Sequence, residues 1–337
     1  MKNFITTIAV LLSLAFSFSV YAEPARILTI SGSVNNPLTL HVKDLDQFKP
    51  VDVQLNEITS QKDYNGAFVF HGAALKTLLD VADIEKKDTV FKKPVDLAVV
   101  IKNQAGEQIA LSWGEIYYKN PHNTVIATSA DPIFPHKGVD HFSDPEAYHQ
   151  MIRTLNRQIG FPKLVIASDF YTDRCIENIT EIIVVDLRPD VLDKKSSSLY
   201  AEKFQVTGAV KHPLTVGKLG NQALRISIRT HVVGEGRGYH GTRNFSGVPL
   251  KTFFNASSPQ MDLNTVFLLS APDAYSVLLS YGELFLNPHG ARIIVADTCN
   301  GAPIEKNGKF ILVLPDDLMA DRELKAIRKI EIINIPK

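Results

Sequence analysis

The stretch Gly208-Ala-Val-Lys-His-Pro213-Leu214-Thr215 has an earlier counterpart, Gly32-Ser-Val-Asn-Asn-Pro37-Leu38-Thr39. The two share glycine, valine, proline, leucine and threonine at the same spacing. Further pairs follow in the same order along the chain: Gly72–Thr77 with Gly247–Thr252, Thr89–Phe91 with Thr265–Phe267, Trp113–Ile116 with Tyr281–Leu284, Asn120–His122 with Asn287–His289, and Asp173-Arg174 with Asp321-Arg322. Matches kept in one order indicate an internal duplication.

The duplication predicts two homologous domains, residues 25–187 and residues 201–337. Residues 188–200 between them contain proline, paired lysines and three serines, a composition typical of an exposed linker. The first repeat also contains an insertion, residues 133–162, that has no equivalent in the second repeat. We therefore expect two related domains, of which the first is longer because it contains the insertion.

Residues 1–22 predict a secretory signal peptide. Lys2 precedes an almost wholly apolar run from Phe4 to Val20, and Val20-Tyr21-Ala22 places small residues at the cleavage positions. An uncleaved N-terminal anchor is the alternative, although the apolar run is short for a membrane span. We expect an exported protein in a bacterial periplasm that has no membrane-spanning segment after cleavage.

The composition is that of a globular chain, with 45% hydrophobic and 21% charged residues among 337. The formal net charge of zero argues against nucleic acid as a partner, because phosphate binding normally requires a basic excess. The only two cysteines, Cys175 and Cys299, match no metal-binding motif. They could form a disulfide in an oxidising compartment or remain separate thiols.

The local patterns predict an α+β fold that is rich in strands and has few, short helices. Short apolar or β-branched runs predict strands at 26–31, 95–101, 179–185, 203–207, 266–269, 274–280 and 327–335. Leucine and phenylalanine at helical spacing predict helices at 73–82 and 248–256. The insertion predicts a further helix over 147–159, with a capping box and a proline near its start.

The stretch from His231 to Leu250 is the predicted ligand loop. Its five glycines allow the backbone to expose N–H groups, and charged and aromatic side chains lie between them. The alternative is a Gly-rich hairpin tip with ordinary surface charges.

The motifs of the second repeat resemble the oxidoreductase molybdopterin-binding domain of the sulfite oxidase superfamily. The resemblance rests on Gly208–Thr215, Gly247–Phe254, Ser270–Val277, Tyr281–Leu284, Gly308–Asp317 and the final β-branched run. It extends to most of the first repeat through the internal match. It implies a mixed α+β sheet structure around a pterin pocket and, in the family's enzymes, a cysteine thiolate that binds molybdenum.

This chain departs from the family at that cysteine. Neither 231–246 nor its counterpart 57–70 contains one, so the resemblance implies a pterin-shaped pocket without the metal anchor. A pterin or molybdopterin is the expected cofactor, and no metal is expected. Carboxylates would bind the ring's amide and amino edge, aromatic rings its face, and cationic side chains its tail. The predicted ligand residues are Glu235, Arg237, Tyr239, His240, Arg243, Asp273, Tyr275 and Asp297.

Three functions stay open. The first is non-catalytic binding of a pterin-like molecule by the second repeat, with signalling to a partner such as a membrane sensor while the first repeat acts as a scaffold. The second is a molybdenum-cofactor oxidoreductase or its accessory subunit, and the third is an interaction module with a degenerate pocket. No catalytic residue is predicted. His136, Asp140, His141 and His149 in the insertion could form a metal site by residue type, although loop histidines are more often solvated.

Overall fold

The computed structural model describes residues 27–86, 91–187, 199–220, 224–236 and 238–337. The predicted signal peptide, nearly all of the predicted linker, Thr89, Val90 and Arg237 lie outside these residues. Residues 27–187 are called the N-terminal half below, and residues 199–337 the C-terminal half.

Strands dominate the N-terminal half, which contains β1 Ile27–Gly32, β2 Leu38–His41, β3 Pro50–Ile58, β4 Tyr64–Ala74, β5 Leu97–Asn103, β6 Gln108–Ser112, β7 Thr124–Pro132, β8 Lys163–Ile166 and β9 Ile179–Asp186. Its helices are α1 Leu75–Ala82, α2 Trp113–Tyr117 and α3 Pro145–Leu155, with 3-10 turns at Val42–Gln47, Pro121–Asn123 and Val139–His141.

The C-terminal half is also rich in strands: β10 Phe204–Gly208, β11 Leu214–Val216, β12 Ile226–Gly234, β13 Gly238–Pro249, β14 Thr265–Ser270, β15 Ser276–Ser280, β16 Ile294–Cys299, β17 Ala302–Pro303, β18 Ile311–Val313 and β19 Lys329–Asn334. Its helices are α4 Thr252–Ser257 and α5 Tyr281–Phe285, with 3-10 turns at Pro288–Arg292 and Ala320–Arg322. Many strands and few short helices agree with the predicted α+β class.

The two halves contain sheets of the same strand order. One five-stranded sheet runs β2-β1-β9-β5-β6 and the other runs β11-β10-β19-β14-β15. In each, the first strand of the half pairs in parallel with its last strand, and the other pairs are antiparallel. Each half adds a second sheet, β3-β4-β7-β8 in one and β12-β13-β16-β17 in the other, where β18 also pairs with β16.

Gly32 and Gly208 occupy equivalent positions at the ends of β1 and β10. Their φ angles are +94° and +90°, in the region that favours glycine. A Cβ atom would lie 2.1 Å from the Val184 carbonyl oxygen at Gly32 and 2.2 Å from the Ile332 carbonyl oxygen at Gly208. The shared glycine of the repeated motif is therefore required by the backbone that passes beside it.

Apolar packing joins the halves. One buried cluster contains side chains of both halves, and a second places Ala98, Val100 and Ala110 against Val266, Leu268 and Leu278. Backbone hydrogen bonds cross the boundary in reciprocal pairs, one of which joins the Phe170 N–H to the Leu286 carbonyl at 2.9 Å and the Leu318 N–H to the Tyr118 carbonyl at 2.8 Å. The Ala110 N–H donates to the Leu263 carbonyl at 3.0 Å, and the Leu278 N–H donates to the Val95 carbonyl at 2.9 Å. These reciprocal contacts relate the halves by an approximate two-fold axis.

The predicted ligand loop is a β-hairpin for most of its length. Strands β12 and β13 pair from Ile226–Gly247 out to Gly234–Gly238, with a register shift between His231 and Val233. The glycines suggested a loop, but alternating inward residues such as Ile228 and Thr230 hold the strands in a sheet. Only the short turn around Gly236 is left as a tip, so the hairpin alternative describes the backbone better.

The insertion helix also differs from its predicted limits. Helix α3 begins at Pro145, where the Asp144 carboxylate accepts a hydrogen bond from the Glu146 N–H at 3.0 Å, and it ends at Leu155. Aspartate capping replaces the predicted capping box, and the backbone leaves the helix at Asn156, so the final predicted turn does not form. No helix among the described residues is long and apolar enough to cross a membrane.

Candidate functional site

The predicted ligand residues fall into separate places. Glu235, Asp273 and Tyr275 lie at the boundary between the halves, whereas Arg243 faces Cys299 and Glu323 from β13. Asp297 is paired with Arg225, and Tyr239 and His240 are exposed near the hairpin tip. Arg237 lies outside the described residues.

The boundary group is organised around Asp321. The Glu235 N–H donates to Asp321 Oδ2 at 3.1 Å, and the Tyr275 hydroxyl donates to the Asp321 carbonyl at 2.5 Å. Lys93 of the N-terminal half forms an ion pair with the Asp321 carboxylate and lies 3.4 Å from Glu235 Oε2. Asp273 accepts a hydrogen bond from the Tyr275 N–H at 3.0 Å. These groups therefore satisfy one another.

Two phenols in the boundary group are held in the protonated form. Burial raises the pKa of Tyr275 and of Tyr118, and the negative charge of Asp321 raises both further. A phenol whose pKa is raised donates a hydrogen bond but does not serve as a base at neutral pH. The two phenols therefore act as hydrogen-bond donors to this group and not as bases.

Asp297 and Tyr239 have other partners. Arg225 Nη1 donates to Asp297 Oδ2 at 3.2 Å, and Arg225 Nη2 contacts the other carboxylate oxygen. Tyr239 is 64% exposed, and its hydroxyl lies 3.1 Å from Thr242 Oγ1. Asp297 is thus already neutralised by a cation, which leaves it poorly suited to be the edge partner that the sequence predicted.

Arg243, Cys299 and Glu323 form a second group, called the Glu323 pocket. Arg243 lies on β13, Cys299 ends the neighbouring β16, and Glu323 follows the 3-10 turn at Ala320–Arg322. Burial raises the pKa of Glu323 to about 7, although the positive charges of Arg243 and Lys325 partly offset it. Among the described residues, no side-chain or backbone donor is hydrogen-bonded to the Glu323 carboxylate. It is a half-buried acceptor beside a cation.

The pKa of Glu323 predicts how stability depends on pH. Because the folded state binds this proton more tightly than an ordinary glutamate with a pKa of 4.5 does, its contribution is most favourable below pH 4.5 and is lost as the pH rises through about 7. We expect Glu323→Gln to leave stability unchanged near pH 4 and to raise the free energy of unfolding by about 1–3 kcal/mol at pH 8. Urea unfolding at both pH values measures this difference. The exposed Glu305→Gln is the matched control, and equal behaviour of the two variants would contradict the assignment.

An open cleft of about 570 Å³ lies at the equivalent place in the N-terminal half. The paired motifs Asp173-Arg174 and Asp321-Arg322 make Cys175 the counterpart of Glu323. Cys175 lines this cleft with Glu57, Arg157, Lys163 and Glu177. Burial raises the pKa of the Cys175 thiol to about 12, so a nucleophilic thiolate is not formed at neutral pH.

A buried ionic centre lies on the approximate two-fold axis. In the N-terminal half, Arg174 donates to both oxygens of Asp169 at 2.7 and 2.9 Å and to Glu115 at 3.0 Å. It then crosses the boundary to Ser280 Oγ at 3.3 Å. Burial disfavours the charged form of Arg174, but the carboxylates overcome this effect and raise its pKa.

The C-terminal half reproduces the arrangement with the halves exchanged. Arg322 donates to both oxygens of Asp317 at 2.7 and 2.8 Å, lies 2.8 Å from Glu283, and crosses to Ser112 Oγ at 3.2 Å. Arg322 lies against Gly114 of α2, and Arg174 lies against Gly282 of α5. A side chain at either glycine would block this packing, because a Cβ would lie 2.3 Å from Arg322 Cζ at Gly114 and 1.9 Å from Arg174 Cζ at Gly282. Each half therefore completes the other's buried arginine site.

The two glutamates of the centre titrate differently. Burial raises the pKa of Glu115 to about 7, with Arg174 opposing and Glu283 adding to the rise. Burial acts on Glu283 in the same direction, but Arg322 and the Ser112 hydroxyl reverse it and lower the pKa of Glu283. The centre is a structural charge network, since every group in it is engaged by another.

Metal binding finds little support in these side chains. Among the described residues, which include all of 133–162, no group of three or more His, Cys, Asp or Glu side chains is placed to hold a metal ion. Burial raises the pKa of Cys299, and the positive charge of Arg243 partly opposes this rise. Arg243 and Glu323 provide a cation and a carboxylate, which are the side-chain types predicted to bind a pterin.

Comparison with known proteins leaves the family open. No protein-family model matches the chain, and no curated protein sequence matches it. Among solved structures, the chain is similar to the sulfane dehydrogenase SoxCD from Paracoccus pantotrophus, at 10% sequence identity and a TM-score of 0.33. The match covers 75% of this chain and 63% of that one. The site is therefore interpreted from its own geometry.

Sequence reasoning missed Lys93, Asp321, Glu323 and Arg157. Asp321 and Arg322 were matched across the repeats, and that match contained the signal: Glu323 directly follows a pair that both repeats keep. The counterpart of Glu323 in the first repeat is Cys175. Because the two residue types differ, the repeat comparison did not indicate Glu323 as a site residue.

Proposed function

We propose that this protein is an exported, non-catalytic binding protein that holds a pterin or a related small molecule in its C-terminal half. The Glu323 pocket carries the proposal. Its carboxylate is half-buried, lies beside Arg243, and accepts no hydrogen bond within the described residues. A half-buried carboxylate that accepts no hydrogen bond from the protein can accept donors from a ligand, and hydrogen bonds to charged groups are among the stronger ones.

The chemistry of a pterin suits this pocket. The ring presents two adjacent N–H donors on its amide and amino edge, which a carboxylate accepts side by side as it accepts an arginine fork. Arg243 would donate to the ring oxygen or to an anionic tail. In this assignment Glu323 takes the edge-binding role that the sequence gave to Glu235, Asp273 or Asp297.

The other predicted residues have supporting roles in the proposal. Glu235, Asp273 and Tyr275 would form the boundary wall of the site, and Tyr239 and His240 would contact the ligand from the hairpin; Arg237, outside the described residues, stays a predicted ligand residue. We propose sulfite oxidase-like domains at 25–187 and 201–337, with the first acting as a scaffold or facing a partner. We also propose that the protein is exported to the periplasm and that its partner is a membrane sensor.

The decisive experiment identifies what copurifies with the native protein. Periplasmic material purified without refolding should release a fluorescent pterin on denaturation, and mass spectrometry of the released compound gives its identity. Stoichiometric molybdenum or tungsten in the same preparation would favour the molybdenum-cofactor oxidoreductase instead. Absence of both would favour an interaction module with a degenerate pocket.

We expect Arg243→Ala to weaken binding of the copurified pterin by about 1.5–3 kcal/mol, the scale of a charged hydrogen bond. This corresponds to a rise in Kd of roughly 10- to 150-fold. Isothermal titration of ligand-free protein measures it. Arg229→Ala is the matched control, because Arg229 is an exposed arginine of the same hairpin, and it should leave Kd unchanged. An unaltered Kd in Arg243→Ala would remove the Glu323 pocket from the proposal.

A further inference from the structure

The guanidinium of Arg157 is bound in the N-terminal cleft like a ligand. Its Nη1 donates to Glu177 at 2.8 Å, its Nη2 donates to Glu57, and its Nε donates to the Asn65 carbonyl at 3.0 Å. The plane lies over the Phe68 ring, with Cζ 5.6 Å from the ring centroid. Three donor edges and one face of the guanidinium are therefore recognised.

The groups that bind Arg157 are built into the fold independently of it. Glu57 and Lys163 are both only 3% exposed, and Lys163 Nζ lies 2.5 Å from Glu57 and 3.0 Å from Glu177. Burial opposes ionisation of Glu177, but the Gly160 N–H, Lys163 and Arg157 overcome it and lower its pKa. The Glu57 and Glu177 carboxylates are thus held on two sides of the guanidinium, and Lys163 contacts both of them.

Arg157 reaches this cleft from the insertion 133–162, directly after helix α3. The C-terminal half has no equivalent insertion, and Glu323 in its pocket has no such donor among the described residues. The insertion therefore places the Arg157 guanidinium in the N-terminal cleft, whereas the corresponding position beside Glu323 holds no such group among the described residues.

We propose that the N-terminal cleft is a recognition site for a guanidinium or amidinium group, occupied here by the chain's own Arg157. The Glu57 and Glu177 carboxylates bind the N–H edges, the Asn65 carbonyl binds the remaining donor, and Phe68 supports the face. This site lies in the other half from the Glu323 pocket and does not depend on pterin binding there.

Arg157 competes strongly with a free ligand, because its binding is intramolecular and its backbone position is already fixed by the fold. The wild-type cleft is consequently closed to a free guanidinium compound. Removal of the Arg157 side chain opens the site while the two carboxylates stay in place.

Chemical rescue tests the proposal, with methylguanidinium as the probe. We expect Arg157→Ala to lower Tm, and millimolar methylguanidinium to raise the Tm of this variant by a few degrees with a saturating dependence. The same addition should leave the wild-type Tm unchanged. Methylammonium should not rescue the variant, since it lacks the planar fork that meets two carboxylates together.

A double variant keeps the test specific to the cleft. Arg157→Ala with Glu57→Gln should lose the rescue, because one of the two carboxylates is gone. If Arg157→Ala does not fold alone, the yield of folded protein after refolding with methylguanidinium, compared with methylammonium, gives the readout. Equal effects of methylguanidinium on wild type and variant, or equal effects of the two cations, would overturn the proposal.

Discussion

Arg322→Ala should destabilise the protein by about 3–5 kcal/mol, because it leaves the Asp317 and Glu283 carboxylates buried without their arginine. Arg322 itself is 0% exposed, and the side chains of both carboxylates are at most 3% exposed. Lys119 remains 2.7 Å from Asp317, but among the described residues Glu283 keeps only the Ser112 hydroxyl and the Ser280 N–H as donors. Urea unfolding monitored by circular dichroism measures the change in the free energy of unfolding.

Arg292→Ala is the control for this prediction. Arg292 lies 3.3 Å from Asp316 but is 48% exposed, and exposed pairs of this kind contribute at most about 1 kcal/mol. Both variants remove one arginine from an ion pair, so the difference between them isolates burial. A loss below about 1 kcal/mol in Arg322→Ala would show that the centre is not a buried charge network.

Gly208→Ala should cost about 2–5 kcal/mol. The substitution forces a non-glycine residue to φ +90°, which costs about 1–2 kcal/mol, and it drives a methyl group to 2.2 Å from the Ile332 carbonyl oxygen. The resulting shift of β19 adds a cost on the scale of core overpacking, about 1–3 kcal/mol. Thermal and urea unfolding of the purified variant measure the total.

Gly106→Ala separates the two contributions. Gly106 has φ +82°, but no heavy atom lies within 4 Å of the position its Cβ would take. It should therefore show only the conformational cost of about 1–2 kcal/mol. If Gly106→Ala and Gly208→Ala cost the same, the close approach of β19 has no energetic weight.

The glycine pair also explains what the sequence could predict. Gly32 and Gly208 recur because each ends a strand beside another backbone, and that local requirement is visible in one repeated motif. The short apolar runs around them likewise gave strands within a residue or two of their observed ends, such as Phe204–Gly208. Local constraints of this kind leave a direct trace in the order of residues.

The hairpin and the Glu323 pocket depend on contacts that are distant in sequence. Gly238 and Gly241 favour a loop locally, yet pairing of β13 with β12 keeps that stretch in a sheet. Arg243, Cys299 and Glu323 meet only because β13 and β16 are neighbours and β18 brings the chain back beside them. Residue type alone suggested carboxylates for the ligand edge, but the arginine that neutralises Asp297 could not be foreseen.

Arg174 contacts Ser280 and Arg322 contacts Ser112, so these contacts at the two-fold axis restrict which substitutions each half can accept. A substitution at Ser112 alters the surroundings of Arg322, and one at Ser280 alters those of Arg174, so each change is felt on the opposite side of the boundary. The two halves differ at the periphery, where one half has helix α3 and the other has a glycine-rich turn at the end of its β12–β13 hairpin. Peripheral elements can therefore differ between the halves, while the arginine centre keeps the reciprocal contacts that a two-fold symmetric dimer would have.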